Sequence, residues 1–312
     1  LEVYTEISRI AADLRQNPRP FLLECKTFRM RGHEEASGTK YVPQELMDEW
    51  AKKDPIANFE NYLLTNKLIS VKDIVKIKDA ITDEINEGVK ILSVHERIDV
   101  NTSLELGDVY KPHSPLVKEP SEQRIEMRYI DAIQDGLRTA MRKYDNLVLM
   151  GQDIAEYGGV FKITDGFVAE FGVGRVRNTP ISEAAPLGAA LGLSMMGKKS
   201  MVEMQFADFV SCGFNQIANN LAKTYYRWGQ NSDVVIRMPT GGGSAAGPFH
   251  SQSNEAWFFH IAGLKIVYPS NPADAKGLLL AAFEDPNPVL FFEHKGLYRS
   301  IKEDVSVDEF TI

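Results

Sequence analysis

The stretch Asn178-Thr-Pro-Ile-Ser-Glu183, followed at once by Ala184-Ala-Pro-Leu-Gly-Ala-Ala-Leu-Gly-Leu193, decides the fold. An apolar strand ends there, a helix of unusually small residues begins, and one carboxylate stands between them. A lone acid held between packed elements is a poor anion and a good proton partner. Its plainer role is that of an acid at a helix N-terminus, worth only ~0.3–1 kcal/mol. The Ala/Gly-rich helix that follows tips the balance toward a site, because it lets another backbone or a flat ligand come close.

Outward from Glu183 the pattern repeats. Leu147-Val-Leu-Met-Gly151 reads as a strand, and further strands are expected at 176–181, 200–205, 233–238, 264–268 and 288–293. Ile130, Ile133, Leu137, Ala140 and Met141 mark a helix, and others are expected over 185–196, 207–228 and 272–284. Near-continuous apolar strands alternating with helices predict an α/β domain: a parallel sheet with helices on both faces. Such sheets bind ligands beyond the carboxyl ends of their strands, where Glu183 falls.

The first half reads differently. Val3, Ile7, Ile10, Ala11 and Leu14 predict an amphipathic helix over 3–15. Asn17-Pro-Arg-Pro20 stops it, and Phe21-Leu-Leu-Glu-Cys25 reads as a buried strand running toward Phe28. The clearest helix spans about 71–92, with Ile74, Ile77, Ile81, Ile85 and Val89 on one face and a capping box at Ser70 and Asp73. Periodicity fades over 93–123, where Pro112, Pro115 and Pro120 sit among charged residues, as in an extended surface linker. The predicted organisation is therefore 1–92, a linker over 93–123, and 124–312.

The chain has 312 residues and a formal charge of −8, which argues against a general nucleic-acid or anionic-membrane surface. No apolar run approaches the ~20 residues of a membrane span. Cys25 and Cys212 are its two cysteines, each in an apolar segment, and are expected as buried reduced thiols. The sequence opens on Leu1 within a helical pattern, so a piece of a longer polypeptide is expected.

Other residues could carry chemistry. Gln205-Phe-Ala-Asp-Phe209 ends a strand and opens a helix, so Gln205 stands at a strand tip. Phe209 is either core or an aromatic face for a heteroaromatic ring. Thr240-Gly-Gly-Gly-Ser-Ala-Ala-Gly-Pro-Phe-His-Ser-Gln252 is a mobile loop presenting His250, which is a surface residue or a proton carrier. Its G-x-G-x-x-A spacing is no dinucleotide fingerprint, since Gly247-Pro248 follows where a helix should continue. Arg29, Arg31 and His33 alternate past the predicted strand 21–28 and form either a solvated basic edge or an anion-receiving strand end. There His33 could exchange a proton near neutral pH. A zinc site is not expected, because no second histidine follows His33-Glu-Glu35 at ligand spacing.

Together these motifs resemble the thiamine diphosphate-dependent decarboxylating component of 2-oxo acid dehydrogenase complexes. Residues 124–312 resemble the first, pyrimidine-binding domain of its beta subunit through Met150-Gly-Gln-Asp-Ile154, Thr179-Pro-Ile-Ser-Glu183, Gln205-Phe-Ala-Asp208, His250-Ser-Gln-Ser253 and Asp274-Ala-Lys-Gly-Leu278. Residues 1–92 resemble the end of the alpha subunit through Thr27-Phe-Arg-Met-Arg-Gly-His33 and Lys53-Asp-Pro55. Alpha followed by beta in one chain looks like a subunit fusion.

The resemblance implies a thiamine diphosphate-binding fold, preceded by the mostly helical end of a second α/β domain. It implies that Glu183 hydrogen-bonds the cofactor's aminopyrimidine ring and so promotes loss of the thiazolium proton. Phe209 falls where an aromatic residue stacks on that ring, with Gln205 beside it. His250 and His33 match two active-site histidines that orient the 2-oxo acid and move protons, and Arg29 matches an arginine near the cofactor phosphates. Val234, Ala282, Asp285 and Asn287 align with positions that hold potassium through the backbone. The implied activity is oxidative decarboxylation of a 2-oxo acid with acyl transfer to the lipoyl group of a dihydrolipoyl acyltransferase, by a cytoplasmic homo-oligomer. Gln205-Phe-Ala-Asp208 and Phe292-Glu-His-Lys-Gly-Leu-Tyr298 look closer to branched-chain than to pyruvate enzymes.

Some features depart from the family. The Gly-Asp-Gly motif that holds magnesium and the diphosphate is represented only by Gly107-Asp108-Val109, so it is expected upstream of Leu1. The beta subunit's second domain, after Leu290-Phe-Phe-Glu293, is expected beyond the chain. Glu34 stands where mitochondrial relatives carry a phosphorylatable serine. A transketolase-like enzyme shares the same pyrimidine-domain architecture, although the alpha-like segment around His33 argues against it. An inactive scaffold or docking fragment is the non-enzyme alternative.

Overall fold

Four helices carry the first hundred residues: α1 (Glu2–Gln16), α2 (Gln44–Ala51), α3 (Pro55–Thr65) and α4 (Val71–Val94). The computed structural model describes residues 2–312 except Glu35, Arg97, Ile98 and Ser244. Its contacts divide into two units, Leu1–Asp99 and Val100–Ile312. In the first, α4 starts at the expected capping box. Ser70 Oγ accepts from Asp73 N at 3.2 Å, and Asp73 Oδ2 accepts from Ser70 N at 2.8 Å. Asp54 caps α3 by accepting from Ala57 N at 2.8 Å, with Pro55 at the first helical position.

The strand expected over Phe21–Cys25 does not form. That segment is irregular and exposed, and no strand occurs among the described residues of this unit. A strand needs a neighbour to bond its backbone, and this apolar run has none among the described residues of its unit. Cys25 is accordingly exposed, as is Cys212, so neither is the buried thiol expected.

The second unit begins with α5 (Thr102–Val109), capped by Asn101, which accepts from Ser103 N and Leu104 N. The stretch read as an extended linker therefore contains a helix. It is also bonded along this unit: Lys111 N donates to Asn287 Oδ1 at 2.8 Å, and Lys118 N donates to Thr311 Oγ1 at 3.0 Å. β1 (Arg124–Arg128) then leads into α6 (Tyr129–Lys143). Next come β2 (Leu147–Gly151), α7 (Phe167–Phe171), β3 (Val176–Asn178), α8 (Ala184–Met195) and β4 (Lys199–Glu203). The expected helix over 207–228 is three pieces: a 3-10 turn (Ala207–Gly213), a π-helical turn (Gln216–Leu221) and α9 (Ala222–Trp228). β5 (Val234–Thr240), β6 (Lys265–Val267), α10 (Pro272–Glu284), β7 (Val289–His294) and β8 (Lys302–Ser306) complete the chain.

The six central strands run in the order β3-β2-β4-β5-β7-β6, all parallel, as predicted. Alternate residues feed opposite faces. Leu149, Met201, Val235 and Phe291 pack with α6 and α10, whereas Met150, Val202, Ile236 and Phe292 pack with Leu187 of α8 and Leu221. Each such side chain contributes about 1.5–3 kcal/mol by leaving water. A ribbon of β1 and β8, antiparallel, lies apart from this sheet. None of the described helices is long and apolar enough to cross a membrane.

Strand order places the site. From β2 the chain passes to β3 on one side and then to β4 on the other. The turns leaving β2 and β4 therefore diverge and open a crevice at their carboxyl ends.

Candidate functional site

Gln152 follows β2, Glu183 closes the segment between β3 and α8, and Gln205 and Phe209 follow β4, so all four stand at this crevice. Glu183 is half-buried. Its Oε1 accepts from Gln152 Nε2 at 3.2 Å, which leaves Oε2 without that donor. Gln152 was not singled out from the sequence as a site residue, although it lies in a quoted motif. Its partner is 31 residues away, and only the pairing of β2 with β3 brings them together.

Close approach behind Glu183 depends on Gly213. A Cβ there would stand 2.4 Å from Leu187 Cδ1 and 3.5 Å from the Glu183 carbonyl oxygen. The end of the 3-10 turn thus seats the first turn of α8, as the small-residue character of that helix suggested.

The 3-10 turn also sets the aromatic wall. Residues three apart eclipse in such a turn, so Phe206 and Phe209 come to the same side. Their ring centroids are 5.8 Å apart, and both meet the His250 imidazole edge-on, at 4.8 and 5.5 Å. His250, half-buried, arrives on the loop after β5, whose Gly241, Gly243, Ala245 and Gly247 all have positive φ. Phe209, Gln205 and His250 are therefore brought to the same strand tips.

Beneath them lies a buried charge cluster. Glu203, Arg237 and Glu293 project from neighbouring strands to the face that Met201, Val235 and Phe291 also use. Arg237 bonds Glu203 Oε2 at 2.7 Å and both oxygens of Glu293 at 2.6 and 2.7 Å. Tyr298 OH donates to Glu293 Oε2 at 2.7 Å. Burial pushes the Glu203 carboxyl above the usual range, and Arg237 offsets this only in part.

The other predicted residues fall into two groups. Arg29 and His33 belong to the first unit, where both are exposed. Arg29 Nε donates to the Arg31 carbonyl at 3.1 Å. Val234, Ala282, Asp285 and Asn287 gather near the amino ends of β5 and β7, at the opposite end of the strands from the crevice. Asp285 Oδ1 accepts from the Asn287 amide at 2.9 Å and its side chain at 2.8 Å, and Asp285 also pairs with Lys265. Among the described residues no cluster of three or more His, Cys, Asp or Glu is arranged to hold a metal. A cavity of about 680 Å³ opens between α5, α9 and His260–Ala262, but none of the predicted site residues lines it.

This architecture is that of an open α/β domain with a strand-tip crevice bordered by a carboxylate, an aromatic wall and an imidazole. The chain belongs to the transketolase pyrimidine-binding domain family, whose pattern matches residues 125–301. Residues 1–97 match a second family, the dehydrogenase E1 component. The 2-oxoisovalerate dehydrogenase beta subunit of Bacillus subtilis (strain 168) is 46% identical over 190 residues, covering 60% of this chain and 58% of its own length. The mitochondrial 2-oxoisovalerate dehydrogenase subunit beta 2 of Arabidopsis thaliana is 42% identical over 199 residues, 63% of this chain and 55% of its own. The pyruvate dehydrogenase E1 component subunit beta of Bacillus subtilis (strain 168) is 41% identical over 189 residues, 60% and 58% respectively. The chain thus spans less than three-fifths of the length of these relatives.

Proposed function

We propose that this chain serves a thiamine diphosphate-dependent 2-oxo acid dehydrogenase, with residues 124–312 as its pyrimidine-binding domain, residues 1–92 as the end of an alpha-type subunit, and 93–123 joining them. The observation that carries the proposal is Glu183, held by Gln152 at the switch-point crevice, with the paired rings of Phe206 and Phe209 following the neighbouring strand β4.

These residues fit a flat aminopyrimidine. Glu183 Oε2 is available to bond a ring nitrogen, the Phe209 ring offers an apolar face, and Gly213 keeps the backbone behind Glu183 clear of a Cβ. The bound cofactor supplies the nucleophilic carbon and the electron sink for decarboxylation. Glu183 hydrogen-bonds the pyrimidine, while Gln152 fixes the orientation of its carboxylate. Phe206 and Phe209 exclude water from one side. His250 stands on the loop edge, where its imidazole can orient a 2-oxo acid and exchange a proton with it. Arg29 and His33 are assigned to the phosphate side and to the second proton carrier. Val234, Ala282, Asp285 and Asn287 are assigned to a potassium ion, and magnesium accompanies the diphosphate.

The acyl product passes to the lipoyl group of a dihydrolipoyl acyltransferase, and the enzyme works as a cytoplasmic oligomer. Branched-chain acids are the favoured substrates, in keeping with the names of the B. subtilis and A. thaliana relatives. Competition between 3-methyl-2-oxobutanoate and pyruvate, with the complete enzyme and its lipoylated acceptor, tests this. The branched acid should win in kcat/KM by tenfold or more, and a preference for pyruvate would overturn the substrate assignment.

A further inference from the structure

We propose that Asp208 is a positioning residue for His250: its carboxylate fastens the loop that carries the imidazole. The proposal rests on the reading of His250 as a proton carrier.

Gln252 is the point of attachment. Its backbone N donates to Asp208 Oδ1 at 3.0 Å. Its carbonyl accepts from Gly241 N at 2.9 Å and from Thr240 Oγ1 at 3.2 Å. The loop is thereby closed at a neck, with His250 two residues inside it. Between Gly243 and Phe249 the described residues are exposed. The His250 ring rests edge-on against Phe206 and Phe209. Asp208 lies between those two phenylalanines, so one short turn supplies both the wall and the anchor.

Asp208 and Lys295 are each 7% exposed. Asp208 Oδ2 and Lys295 Nζ are both buried, and neither has a hydrogen-bond partner among the described residues. Lys295 Nζ stands 5.3 Å from the centroid of Phe206, the ring that His250 touches. Burial draws the Lys295 pKa down, and attraction to Asp208 opposes it. A lone buried carboxylate would be strongly disfavoured. Asp208 accepts the bond from Gln252 N, and Lys295, buried beside Phe206, is the cation that its carboxylate attracts.

Two charge-neutral double variants test this without leaving an unpaired buried ion. Asp208→Asn with Lys295→Met keeps an acceptor for Gln252, whereas Asp208→Ala with Lys295→Met removes it. Amide exchange of Gly241 is the readout, because that amide does not touch Asp208 and reports opening of the neck. Exchange should rise tenfold or more in the alanine pair, stay within a few-fold of wild type in the asparagine pair, and leave β4 and β5 protected in both. In the complete enzyme the alanine pair should lose turnover to the extent that His250→Ala does, and the asparagine pair should retain most of it. Unchanged Gly241 exchange in the alanine pair, or equal loosening in both pairs, would overturn the proposal. Normal turnover in His250→Ala would instead defeat the proton-carrier reading, and Gly241 exchange would still judge the anchor.

Discussion

Gln152 Nε2 donates to Glu183 Oε1 across 3.2 Å, joining the tips of two adjacent strands at the point where the chain reverses direction across the sheet. A bond to a charged acceptor is worth about 1.5–3 kcal/mol. Gln152→Leu should therefore slow proton exchange at the thiazolium carbon by about tenfold or more while leaving the thermal midpoint close to wild type. Gln152→Glu replaces the donor by a second acid and should be worse, through like-charge repulsion. Exchange at the wild-type rate in Gln152→Leu would show that Glu183 needs no such support.

Gly213 makes a second, purely steric prediction. Its added Cβ would meet Leu187 Cδ1, and Leu187 is fully buried, so its side chain has nowhere to move. Gly213→Ala should cost about 1–3 kcal/mol by overpacking and displace Glu183 with the first turn of α8. Shortening Leu187 to alanine in the same chain should relieve the clash, and denaturant midpoints of the single and double variants decide it.

The buried cluster predicts a pH dependence. Glu203 has its folded pKa raised above the ordinary 4.5, first by burial and then by repulsion from Glu293. The folded state then holds a proton that the unfolded chain releases, so this contribution to stability declines as pH rises from 4.5 toward the folded value. Glu203→Gln should flatten that slope, measured by urea unfolding between pH 5 and 8. Arg237→Met should cost about 3–5 kcal/mol, because it strands two buried carboxylates. A slope identical in Glu203→Gln and wild type would contradict the assignment.

Much of this was legible in the sequence because it is local. The apolar runs at β2, β4, β5 and β7 could be nothing but covered strands, and Ser70 with Asp73 announced the start of α4 three residues apart. Glu183 was legible because a strand end, an acid and a small-residue helix follow one another. What escaped depends on distant partners. Gln152 acquires meaning only from Glu183, and Asp208 only from Gln252 and Lys295. β1 and β8 pair Arg124 with Ser306 across most of the second unit, and their charged alternation resembles a loop. Conversely, Phe21-Leu-Leu looked like a strand by composition, but a strand also requires a neighbour, which composition does not reveal. The 3-10 and π turns between Ala207 and Leu221 pack against α8, and an apolar pattern alone read them as one helix.

On the proposed function Glu183 acts on the pyrimidine ring, whereas His250 acts later. The most direct measurement is hydrogen–deuterium exchange at the thiazolium carbon of thiamine diphosphate bound to the complete enzyme, comparing wild type with Glu183→Ala and His250→Ala. Removing a positioned proton partner costs about 10²–10⁴-fold, so exchange should collapse by that factor in Glu183→Ala and remain near wild type in His250→Ala. An unchanged rate in Glu183→Ala would contradict the account.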